Sequence, residues 1–156
     1  MKKTINILSL AFNIAITISL ILLAIYLFVE IDAIRNNAAS AEDGDAWYRA
    51  SIAGFSIAML GMGAFLLIGL SIFSIIILVL SKHNSSYVLS IVLAAIVLDG
   101  AFIYFLSITD LAKKGNEIQT LSVIMVISLL IFASANLFIQ IYRTILYKKE
   151  LKKSEE

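Results

Sequence analysis

The sequence predicts an all-α integral membrane protein, a four-transmembrane-helix bundle with both termini cytoplasmic, and three observations carry that expectation. Hydrophobic residues make up 61% of the 156 residues and mean hydropathy is +0.99, against about 45 to 50% apolar content in soluble domains. The apolar residues fall into four runs, about 5–29, 52–80, 87–108 and 118–142, each long enough at 1.5 Å per residue to cross a hydrocarbon core of about 30 Å. The basic residues divide unevenly between the two sides these runs define. Lys2, Lys3, Lys82, Arg143, Lys148, Lys149, Lys152 and Lys153 fall on one side, and Arg35, Arg49, Lys113 and Lys114 on the other. That asymmetry places both ends inside by the positive-inside rule.

Residues 1–156 therefore read as a single membrane domain with outward loops at 30–51 and 109–117 and a basic cytoplasmic tail, 143–156. The chain has no Pro, so no proline kink interrupts a span. It has no Cys, which excludes disulfides and thiol chemistry. A net charge of +1 gives no case for a nucleic-acid partner. The abundance of Ile, Lys and Asn fits an AT-rich bacterial genome, and the expected location is the bacterial inner membrane.

The first run follows Lys2 and Lys3. At about 25 residues it exceeds the roughly 7 to 15 of a signal-peptide core, so it is expected to stay as the first helix despite the small residues Ala39, Ser40 and Ala41. Asn6, Ser9, Asn13 and Thr17 step along it by three and four residues, which puts them on one helical stripe. Such a stripe faces protein rather than lipid. It bonds to a neighbouring helix or lines a substrate path.

Residues 30–51 form an acidic segment containing Glu30, Asp32, Glu42, Asp43 and Asp45. The cluster at 42–45 lacks the alternating ligands and distant Glu of a calcium loop and reads as a solvated turn. Trp47 and Tyr48 are placed to anchor the next span at headgroup level. That span, Ile52–Leu80, is 29 residues long, and tilt or a projecting end absorbs the excess. Gly54, Ala58 and Gly61, with Gly63 and Gly69 beyond them, predict a face where another helix approaches closely, in this chain or in a second subunit. His83, the only histidine, lies in the short turn that follows and reads as a solvated side chain.

The third run, Tyr87–Ile108, carries a carboxylate, Asp99, one or two residues past its midpoint. A central Asp costs about 2.5 to 3.5 kcal/mol on insertion, while each Leu, Ile, Phe or Val returns roughly 0.3 to 0.6. The run holds thirteen of those four types, so it still inserts. Ala95, Phe102, Ile103 and Leu106 share the face of Asp99, and Gly100 beside it admits a close neighbour. No Lys, Arg or His stands within the spans to neutralise Asp99. The acid is protonated, or hydrated and bonded to Asn13, Thr17 or serines at similar depth, or paired with a cation from another subunit.

After the loop at 109–117, where Gly115 and Asn116 suit a helix stop, the fourth run carries Asn136, Gln140 and Arg143 on one face near its cytoplasmic end. It continues as a charged helix. Lys148, Lys149, Lys152 and Lys153 would meet anionic headgroups, each worth about 1 kcal/mol near the surface.

Several chemistries lack their residues. Haem ligation needs intramembrane His, metalloprotease chemistry needs an H-E-x-x-H cluster, and a serine hydrolase needs a base within the membrane. No enzyme and no cofactor is expected. Rotary-ATPase proteolipids carry a midmembrane acid but have a Gly-rich first helix, and the first run here has no Gly. Small multidrug exporters place their acid in the first helix. The sequence thus points to a small non-enzymatic accessory, regulatory or immunity-type subunit, partnered by the bilayer and by other membrane subunits or itself. The alternative is a proton- or ion-coupled transporter working as an oligomer with Asp99 as the coupling carboxylate.

Overall fold

The computed structural model describes residues 2–39, 44–80, 84–113 and 120–155, and every one of them is helical. The helices are α1 (Lys2–Ala39), α2 (Gly44–Leu80), α3 (Asn84–Lys113) and α4 (Thr120–Glu155). Four stretches within them, Thr4–Glu30, Ile57–Leu80, Ser86–Ser107 and Val123–Lys153, are long and apolar enough to cross a membrane.

The helices run further than the apolar runs do. Residues 30–39 continue α1, 44–51 open α2 and 109–113 end α3, so much of what reads as outward loop is helix. The reason is local. Residues 30–39, EIDAIRNNAA, contain neither Gly nor Pro, and an established helix extends through such residues at little cost per residue. Asp45 stands in the first turn of α2 and Lys152 and Lys153 in the last turn of α4, each at the helix end whose dipole favours its charge. Glu42, Asp43, His83, Gly115 and Asn116 lie outside the described residues.

α1 packs against α2 and α4, and α3 packs against α2 and α4. Among the described residues the diagonal pairs, α1 with α3 and α2 with α4, do not meet. The interior is sorted along its length. Leu20, Leu23, Leu67, Val97, Tyr104 and Leu129 belong to one apolar cluster, while Ser9, Asn13, Asn136 and Gln140 are buried toward the end that holds the start of α1 and the later part of α4.

The outer surface inverts the pattern of a water-soluble bundle. Phe55, Met62, Leu66, Ile103, Ile131 and Phe138 are exposed while Asn13 and Gln140 are buried. Contiguous apolar surface on every helix is unfavourable in water and suits lipid.

The glycines that have a close neighbour lie where α2 meets α3. A Cβ added at Gly100 would stand 2.7 Å from both methyl carbons of Leu67, and one at Gly63 would stand 3.0 Å from Tyr104 Oη. The Tyr104 hydroxyl donates to the Leu60 carbonyl, joining the same two helices. Gly61 and Gly69 have nothing within 4 Å of such a Cβ. Of the glycines tested in this way, Gly63 and Gly100 therefore have a close neighbour and Gly61 and Gly69 do not. Gly54 and Ala58 are half-buried.

Candidate functional site

Two polar features stand out, and they lie on different faces. The first is a seam between α1 and α4. Asn13 Nδ2 donates to Asn136 Oδ1 at 3.1 Å and Asn136 Nδ2 donates back to Asn13 Oδ1 at 3.4 Å. Gln140 Nε2 donates to Ser9 Oγ, and to Asn136 Oδ1 at 3.3 Å. Arg143 Nε donates to Asn6 Oδ1 at 2.7 Å, and Nη1 reaches Gln140 Oε1 at 3.5 Å.

The spacing explains why the pairs meet. Along α1 the members step by three and four residues, from Asn6 to Ser9 to Asn13; along α4 they step back by three and four, from Arg143 to Gln140 to Asn136. Two antiparallel helices with matched steps keep their polar stripes in register. Spare polar groups bond within their own helix: Asn13 Nδ2 donates to the Ser9 carbonyl, and Thr17 Oγ1 to the Asn13 carbonyl, both at 2.8 Å. Asn13 is 3% exposed and Gln140 1%, so the middle of the seam is sealed from its surroundings, while Asn6 at its end is exposed. Phe12 and Phe132 meet edge to face beside it, with ring centroids 6.3 Å apart.

Arg143 ends the seam. It is 8% exposed, its guanidinium carbon stands 4.5 Å from the Tyr87 ring centroid, and Tyr87 stacks on Tyr147 at 4.2 Å. Tyr87, on α3, faces the cation, and Tyr147, on α4, stacks on Tyr87. Beyond it Lys148, Lys149, Lys152 and Lys153 are exposed on the last turns of α4.

The second feature is Asp99, which is exposed on the outer side of α3. Its neighbours on that side, Ile96, Phe102, Ile103 and Leu106, are exposed as well. Asp99 has no hydrogen-bond or ionic partner among the described residues. It does not join Asn13 or Thr17: those belong to α1, and α1 and α3 lie diagonally and do not meet. Bonding of Asp99 to Asn13 or Thr17, one form of the hydrated alternative, is therefore not what the fold builds.

Reading the sequence alone missed Tyr87 as a guanidinium contact and Tyr147 stacked on it. It also missed Ser71 and Ser74, buried hydroxyls on α2 without a hydrogen-bond partner among the described residues. Tyr87 carries a signal in hindsight: it opens an apolar run at the level where a cation ends the neighbouring one. No protein-family model matches the chain, and neither the curated proteins nor the solved structures include a similar one.

Proposed function

We propose that the chain is a small non-enzymatic subunit of a bacterial membrane complex, accessory, regulatory or immunity-type, with both termini cytoplasmic, which docks through the outward face of α3. The observation that supports this is the position of Asp99. It stands about 4 Å from the middle of its span, at 1.5 Å per residue, on a face that is otherwise apolar. A carboxyl group in hydrocarbon is costly, and a cation or hydrogen-bond donor on a neighbouring helix relieves that cost.

Among the described residues, the spans of a second copy offer no cation at the depth of Asp99. Among the described residues the buried basic side chain is Arg143, level with Tyr87, and Tyr87 precedes Asp99 by 12 residues, about 18 Å along α3. The partner is thus a different polypeptide whose membrane helix carries Lys, Arg or a strong donor near midmembrane. The buried seam between α1 and α4 fits the same role, because it uses their polar groups inside the chain and leaves the outward face of α3 to dock. A transport path through one chain has less support, since Asp99 and the polar residues of α1 do not share a cavity.

Photo-crosslinking in native membranes tests the proposal. A photoreactive residue at Phe102 or Ile103 should give an adduct with a distinct membrane protein, at least several times weaker after Asp99→Asn, while one at Ile131 on α4 should not. Adducts only with a second copy would overturn the heteromeric reading and favour the oligomeric transporter.

A further inference from the structure

We propose that Arg143 is the headgroup site of a specifically bound anionic phospholipid, held at the end of the α1–α4 seam. The inference is independent of the docking face of α3, which lies on another helix and at another depth.

Arg143 is more than nine-tenths buried, yet no carboxylate forms an ion pair with it among the described residues. Its partners among the described residues are neutral: Asn6, Gln140 and Tyr87. A buried guanidinium carries five N–H donors in a planar fork, and here Nε and one Nη1 donor are engaged while the rest meet no anion. Leaving a charge buried without a counter-ion is costly. A bidentate phosphate is the ligand the fork fits best.

The space around the side chain indicates which phosphate. Arg143 and Asn6 line a crevice of about 230 Å³ whose other walls are Ile7, Leu10, Leu78 and Val79. All four are aliphatic, and they come from the first turns of α1 and the last turn of α2. Free phosphate gains nothing from such walls. An acyl chain does, at about 25 cal/mol per Å² of apolar surface buried. A second, much smaller crevice on the other side of Arg143 is lined by Tyr87, Tyr147 and Glu150. Its volume of about 10 Å³ leaves no room for a phosphate, so the aliphatic side is the one that can hold the headgroup. The site also lies at the basic end of the molecule, where the tail lysines raise the local concentration of anionic lipid without contacting this crevice.

Native mass spectrometry of the full chain in detergent, titrated with phosphatidylglycerol, phosphatidylcholine or inorganic phosphate, tests the site. The expected result is one tightly held phosphatidylglycerol per chain, not displaced by phosphatidylcholine or by millimolar phosphate. Arg143→Gln should weaken retention by about tenfold or more, the worth of one charge-assisted hydrogen bond. Arg143→Lys, which keeps the charge without the fork, should fall between. Val79→Phe leaves the cation in place and fills the crevice, and it should also lose the lipid. It therefore guards against an Arg143 variant that merely misfolds. Equal retention by wild type, Arg143→Gln and Val79→Phe would overturn the proposal. So would full loss on Lys148→Gln with Lys149→Gln while Arg143→Gln retains lipid. Displacement of the lipid by inorganic phosphate would overturn the acyl-chain assignment.

Discussion

Asn13 and Asn136 form a reciprocal amide pair, and its value is set by what happens when half of it is removed. Interhelical hydrogen bonds in membranes average about 0.6 kcal/mol and reach about 1.7, but an orphaned buried amide also loses its compensation. Asn13→Leu should therefore destabilise the chain by about 1 kcal/mol. Combining it with Asn136→Leu should cost less than the two single changes together, because leucines of similar size then pack where two amides bonded. Reversible unfolding in mixed micelles measures both, and strict additivity would contradict the pairing. The stripes themselves were legible in the sequence: polar residues inside an apolar run declare their face by their spacing. Their register was not, since spacing along one helix says nothing about which neighbour it meets. Asp99 shows the opposite limit. Its presence was plain, but lipid-facing and protein-facing surfaces of α3 are both apolar, so periodicity carries no direction.

At the scale of elements, the α2–α3 contact rests on a knob and a gap. Leu67 occupies the space a side chain on Gly100 would need, so Gly100→Leu forces Leu67 out of its position or the two helices apart. Overpacking of that kind costs about 1 to 3 kcal/mol. The loss should be recovered in part by Leu67→Ala, which reopens the space. By contrast Gly69→Ala meets nothing within 4 Å and should be neutral or stabilising by up to about 1 kcal/mol through helix propensity. Thermal unfolding in detergent distinguishes the pair of outcomes. Small residues in α2 announced that some helix approaches closely. Which of them is used depends on where Leu67 and Tyr104 fall on the facing surfaces, and that is a property of two helices together. The same holds for helix ends: apolar runs mark the membrane, whereas the helices extend past it because residues 30–39 contain nothing to stop them.

For the whole molecule, four crossings with both termini inside make a topological prediction that the absence of cysteine renders easy to test. A single Cys at Ser154 should react with a membrane-impermeant maleimide only after the cell is opened, and one at Asn36 should react in intact cells. The molecule then consists of a buried polar seam at its basic end, an apolar interior toward the other, and an acid turned outward on α3. That last feature carries the functional proposal. The most direct test is to isolate the chain from its native membrane in a mild detergent and weigh the assembly, comparing wild type with Asp99→Glu and Asp99→Asn. The account predicts a stoichiometric complex with a second polypeptide for wild type and Asp99→Glu, and a folded but unaccompanied chain for Asp99→Asn. The same assembly from all three, or a lone chain from all three, would contradict it.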